Sequence, residues 1–509
     1  MSAASGARTP WVRLALLSVA AIAIHGYHLG VEDGEIFIPA ARKLLHPQLY
    51  PFATEFFQSH EHLSLFSPIL AGTARFLHLS MDWTVFLWYL VSLYTLLTAC
   101  WMLASVCFVS QRARWCSMLV LTAVLTMPAT NTGLLLIDPY LTPRSFSTPL
   151  TLIALVCFLR RQYVLAALTT AFTATIHPQM AAYLVFLAAT MLVIEKCKPA
   201  QRERVPVLAG MTGILPASFH FGPAEDPYRE ALYARDFYFL SNWTWYHWLG
   251  MLAPLAILAW FWKGKIRATT PEFKRLSFAL IPFGLLSILV AALFSSSHSM
   301  DMFARLQPLR CFHLITFVFM LLLGGVLGEY AARNRSWALA AIFLPLAIFM
   351  GYVARETYPA SAVIDWPGLK SSSNPWVNTM LWVRKNTPED AVFAVDSHYF
   401  LADGIDAHGF RALSERAALA DYYKDGGVVS IFPQLAPEWK QMSSATDGLN
   451  RFSKEDFTRL ARQYPVTWAV IHGPAPDGMN CPYDRLGYAV CRIAGDSVQP
   501  QAFTSRRGQ

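Results

Sequence analysis

Apolar residues come in long runs through the first two-thirds of this chain, and polar residues gather in the connections between them. Most runs approach or exceed the roughly 20 residues that cross a bilayer core as a helix. They lie at 11–30, 83–109, 116–136, 146–159, 162–177, 179–194, 205–219, 246–262, 276–294, 311–330 and 337–355. This pattern predicts a polytopic α-helical membrane protein with about 11 spans. The first run is too long for the apolar segment of a signal peptide and no small-x-small site follows it, so it reads as a retained helix.

The polar connections alternate in kind. Arg8 and Arg13, then the connections at 110–115, 160–161, 195–204, 263–275 and 331–336, carry the basic residues. If these face the cytoplasm, every second connection is basic, as the positive-inside rule requires. The odd number of spans then carries residue 356 onward to the other side. The expected division is a helical membrane domain at 1–355 and an extracytoplasmic domain at 356–509.

The other set of connections holds long loops at 31–82, 128–145 and 220–245, with a shorter one at 295–310. Long loops on one face of a rigid bundle are where function tends to sit. Within the first, IFIPAARKLLH (36–46) has apolar residues at helical spacing with Arg42 and Lys43 on the other side, an interfacial helix by pattern. SPILAGTARFLHL (67–79) is a second, interfacial or re-entrant helix. Beyond about residue 374 the period changes. A helix ending at Thr387-Pro388, a strand at 391–395, a helix at 452–464 and strands at 466–472 and 486–493 predict a small α/β domain.

Composition sharpens this picture. Hydrophobic residues make up 55% and charged ones only 15%, below the quarter usual in soluble domains. The net charge of +8 resides in the short connections, with no basic stripe interleaved with aromatics, so it reads as topology and not as nucleic-acid binding. Six of the eight cysteines lie in or beside apolar runs, as small hydrophobes. Cys481 and Cys491 stand in the extracytoplasmic part, where either a disulfide or two thiols fits the sequence.

The densest chemistry follows the first run. Glu32, Asp33 and Glu35, in EDGE at 32–35, put three carboxylates within four residues; such crowding raises carboxylate pKa values and suits a general base or a cation. The alternative is an ordinary solvated loop start. The run EDGEIFIPAARKLLHPQLYP resembles the first outer loop of the GT-C superfamily of membrane glycosyltransferases, which includes protein mannosyltransferases and oligosaccharyltransferases. Glu32-Asp33 stands at the acidic pair of that loop, and Ala40-Ala41 lies within its amphipathic helix. Phe37 only approximately matches the aromatic residue common after the acidic pair.

The resemblance implies a bacterial inner-membrane enzyme, with its N-terminus cytoplasmic and its C-terminal domain periplasmic. It would move a sugar from a polyprenyl-phosphate donor to a lipid, glycan or protein acceptor, with inversion. Asp33 is then the first choice of catalytic carboxylate, with Glu32 and Glu35 as substitutes. No cofactor and no metal site is expected.

Four further groups could serve such a site. In DPYLTPRSFSTP (138–149), Arg144 suits a lipid phosphate, or it pairs with Asp138 and fixes the loop. His177, before Pro178, faces an outer cavity or caps a kink. His298, Asp301, Arg305 and Arg310 precede the tenth run, where Arg305 could complete a phosphate wall and Arg310 reads as a headgroup anchor. In the C-terminal part Asp396, His398, Arg411, Arg416 and Asp421 mark a polar stretch similar to that of related membrane glycosyltransferases. Two other functions fit the same pattern: a transporter or flippase for a lipid-linked or anionic substrate, and an inactive GT-C-like scaffold.

Overall fold

The computed structural model describes residues 10–196, 222–295, 297–331, 337–368 and 370–493. It is mostly helical, with one five-stranded sheet near the C-terminus. The run at 205–219 lies outside the described residues. Among the described residues five helices are long and apolar enough to cross a membrane: Met81–Cys107, Pro178–Lys196, Pro271–Phe294, Pro308–Tyr330 and Trp337–Thr357. Helices Trp11–His25, Pro143–Leu159 and Tyr163–Ile176 are apolar but shorter.

Most predicted runs are helical, with ends set by local chemistry. Ser110 accepts a hydrogen bond from the Ala113 N–H and starts Gln111–Ala123. That helix stops well short of the predicted 136, because Pro128 lacks an N–H and the chain folds back on itself in a bridge between Pro128 and Leu135. Tyr163–Ile176 and Pro178–Lys196 are separated at His177 by Pro178, as the sequence indicates.

Two compact units share the chain. The first comprises residues 1–28, 63–66 and 85–357. At its centre the helix Cys311–Tyr330 packs on Gln111–Ala123 through Gly324, Gly325 and Gly328. A Cβ on Gly325 would stand 2.2 Å from the Phe108 ring, and one on Gly328 2.6 Å from Cys116 Cβ. Small residues are therefore what lets these backbones approach.

The second unit comprises residues 29–62, 67–84 and 358–509. A domain starting at 356 is thus incomplete: the first long loop belongs with it. Its sheet runs β2-β1-β3-β5-β4, with β1 Val392–Ala394, β2 Ala417–Ala418, β3 Trp468–His472, β4 Asn480–Arg485 and β5 Tyr488–Arg492. β1 pairs in parallel with β2 and β3, while β5 is antiparallel to β3 and β4. The β4–β5 hairpin is closed by a Cys481–Cys491 disulfide. Its C-terminal segment also holds the helices Pro375–Asn386, Phe410–Ser414, Lys424–Ile431, Ala436–Ala445 and Lys454–Gln463.

The first loop is held in this unit by charge as well as by backbone. Gly409 N–H donates to Gly30 O at 2.8 Å, and Glu32 N–H to Ala407 O at 2.9 Å. The helix Gly34–Leu45 differs from its predicted interfacial character at Arg42, which is buried and pairs with Asp82 and Glu415. Arg384 closes the ring, 2.9 Å from Asp82 and 2.7 Å from Glu415. Two guanidiniums alternating with two carboxylates satisfy charges that would be costly if buried singly. Lys43 turns to the carbonyls of Pro47, Leu49 and Tyr50 and closes the helix end.

Candidate functional site

The sequence places Asp33 at the start of Gly34–Leu45, where an aspartate would ordinarily cap the helix. Its side chain makes no capping bond. Instead Asp33 Oδ1 lies 3.2 Å from Lys424 Nζ, and the same ammonium pairs with Glu32. Glu32 itself adopts a left-handed backbone, φ 52°, an uncommon conformation for a residue with a side chain. Both carboxylates keep about a third of their surface open, 29% for Glu32 and 31% for Asp33.

Lys424 is fixed from behind. It opens the helix Lys424–Ile431, and its backbone N–H donates to Asp421 Oδ1. Burial favours the neutral amine, but Glu32 and Asp33 outweigh it and hold the Lys424 pKa above the ordinary lysine value. A lysine in a first helical turn opposes the helix dipole, so an anionic partner is the natural remedy. That was the available signal for Lys424, which sequence reasoning missed.

His60, also unforeseen, belongs to the same neighbourhood. Its ring meets Phe37 and Phe432 edge-on, at 5.9 and 5.2 Å between centroids. Its Nδ1 is enclosed with no hydrogen-bond partner among the described residues. Burial lowers its pKa to about 4 against the pull of the Asp33 charge, so the imidazole is neutral at pH 7. Phe37, the approximate match to the family aromatic, thus packs on a neutral imidazole within electrostatic reach of Asp33.

Glu35 parts from its neighbours in EDGE. It is 1% exposed and accepts the backbone N–H groups of Arg411 and Ala412, each at 2.9 Å, at the start of Phe410–Ser414. Arg411 Nη1 stands 3.7 Å away but spends its fork on Asp425, with Nη1 to Oδ1 at 3.0 Å and Nη2 to Oδ2. Asp425 also accepts the Asp421 N–H at 2.8 Å. Burial first, then the nearby Asp425 charge, push Glu35 up against Arg411 and the two N–H groups, to about 7. Burial and Asp425 likewise hold Asp421 well above the usual carboxylate range.

The crowding expected within EDGE is therefore not what raises Glu35. It is sealed beside a cavity of about 10 Å³, room for roughly one water, bordered also by Asp396, Tyr399, Arg411 and Asp421. A buried, bonded carboxylate of this kind is a structural group rather than an open base. The same holds for Arg411, enclosed and committed to Asp425.

The other predicted residues fall elsewhere. His398 stacks on Tyr422 at 4.6 Å and faces Asp447 at 3.4 Å, while its N–H donates to Asp396. Arg416 binds the carbonyls of Arg384 and Thr387 and caps Pro375–Asn386. Asp138, Arg144, His177 and Arg305 belong to the first compact unit. Arg144 donates through Nε and Nη2 to one oxygen of Asp138, at 3.2 and 2.8 Å, so the loop-fixing pair is formed. Asp301 accepts from the Ala224 N–H and the Tyr233 hydroxyl, joining the loops 220–245 and 295–310. Arg305 lies beside Tyr228, and Arg310 covers the Phe237 ring. Among the described residues no cluster of histidine, cysteine and acidic side chains could hold a metal ion.

Compared with family models and with curated proteins, the chain matches none.

Proposed function

We propose that this chain is a bacterial inner-membrane glycosyltransferase that moves a sugar from a polyprenyl-phosphate donor to a lipid, glycan or protein acceptor. The observation that supports it most is Asp33. Its carboxylate stands at a helix start, declines the capping role, keeps about a third of its surface open, pairs with Lys424 and lies within electrostatic reach of the neutral His60.

In this reading the acceptor hydroxyl hydrogen-bonds to Asp33, which takes its proton as the oxygen attacks the anomeric carbon. The new C–O bond forms as the bond to the carrier phosphate breaks, and the phosphate leaves as an anion. Attack opposite the leaving group inverts the centre. Lys424 keeps Asp33 oriented, and Glu32 shares that ammonium. Glu35 is assigned to the architecture.

The N-terminus is placed in the cytoplasm and the second unit in the periplasm. The alternation of basic connections supports this, and so does the disulfide, since such bonds persist in oxidising compartments. The test is transfer of radiolabelled sugar from endogenous polyprenyl-phosphate donors in membranes holding the full chain. Asp33→Asn should lower transfer at least 100-fold at unchanged expression, whereas Glu32→Gln should retain a measurable rate. Wild-type rates in Asp33→Asn remove Asp33 from the chemistry.

A further inference from the structure

The second compact unit carries large apolar side chains that its own core does not cover. Phe76 is 82% exposed and Trp366 52% exposed, and Leu77, Trp83 and Val363 are exposed with them. They belong to two stretches of chain, 76–83 and 363–368. The stretches meet where a Cβ on Gly368 would stand 3.7 Å from the Trp83 indole nitrogen. Arg75 and Lys370, both exposed, border them in sequence.

Chain continuity says what covers this surface. Trp83 lies in the first turn of Met81–Cys107, and Val363 follows closely on the end of Trp337–Thr357; both helices are long and apolar enough to cross a bilayer. Along the first of them Trp83, Leu87 and Val91 are all exposed, one helical turn apart, so one apolar stripe runs from the patch into the helix. Where a span ends, tryptophan and apolar side chains sit at headgroup level, with basic groups reaching the phosphates.

We infer that the segments 76–83 and 363–368 form a lipid-binding surface that seats the second unit in the headgroup layer of the bilayer, with Arg75 and Lys370 toward anionic lipid. This rests on the membrane placement proposed above, though not on the transferase chemistry. It assigns the 363–368 stretch a membrane-contacting role.

Site-directed spin labelling of the full chain tests it, in liposomes of phosphatidylethanolamine and phosphatidylglycerol. Nitroxides on Phe76→Cys and Trp366→Cys should collide more with oxygen than with a water-soluble nickel chelate. A label on Arg459→Cys, exposed on the helix Lys454–Gln463, should show the reverse. A label on Ile348→Cys, exposed on the apolar helix Trp337–Thr357, reports the membrane placement independently. If Ile348 reads lipid while 76 and 366 read water, the inference is overturned and the membrane reading stands. If Ile348 also reads water, both are overturned. Labels shielded from both reagents and dipole-broadened against each other would show a second copy on this surface, which also overturns the inference.

Discussion

Glu35 makes the acid–base behaviour of the fold accessible at a single residue. Its pKa in the folded chain, about 7, exceeds the 4.5 of an ordinary glutamate. Between those values the folded chain keeps a proton that the unfolded chain has released, so stability is greatest at the acid end and falls as pH rises toward 7. At about 1.4 kcal/mol per pKa unit the loss is roughly 3 kcal/mol. Asp421, raised for the same reason, adds to it in the same direction. The apparent Tm of the full chain in detergent should therefore decline between about pH 5 and pH 7. Glu35→Gln should flatten that slope while lowering Tm at the acid end, because an amide satisfies only one of the two N–H groups. An unchanged slope in the variant would place the titration elsewhere.

At the level of elements, the contact between Gly34–Leu45 and Phe410–Ser414 depends on Gly409. A Cβ there would stand 2.2 Å from Glu35 Oε2 and 2.7 Å from Glu35 Cβ. Gly409→Ala must displace a buried carboxylate from two hydrogen bonds, a loss of about 2–4 kcal/mol. Gly34→Ala is the matched control: its nearest neighbour would be Ile38 Cδ1 at 3.6 Å, and helix propensity favours alanine by about 1 kcal/mol. Thermal unfolding of the two variants should move in opposite directions.

Elements were also what the sequence disclosed best. Apolar runs and the change of period near residue 374 located most helices and the strands β1, β3 and β5. The two-residue β2, inside RAALAD, has no β-branched side chain to announce it, and β4 carries a proline in NCPYDR. The candidate site was half legible. Three carboxylates in EDGE were visible, but their division was not, because Glu35 turns inward toward partners nearly four hundred residues away. Lys424 and His60 were hidden for the same reason: local spacing contains no record of what meets across such a distance.

For the molecule as a whole, the alternation of basic connections makes a topological prediction. Alkaline phosphatase fused after residue 370 should be active in the periplasm, and fused within 263–275 it should be inactive. Activity at both points, or at neither, would mean that the count of crossings between them is wrong.

The reliance of the first loop on the last third of the chain also sets a schedule for biosynthesis. Glu35 leaves the ribosome 376 residues before Arg411, an interval of roughly 20–75 s at ordinary elongation rates. Throughout it Glu35 lacks its partners at 411 and 412, and Arg42, though Asp82 has already emerged, lacks Glu415, so Gly34–Leu45 is only partly paired until the last third of the chain is made. A nascent polypeptide stalled before residue 411 should thus be recognised as incomplete at its N-terminal end, far from where synthesis stopped.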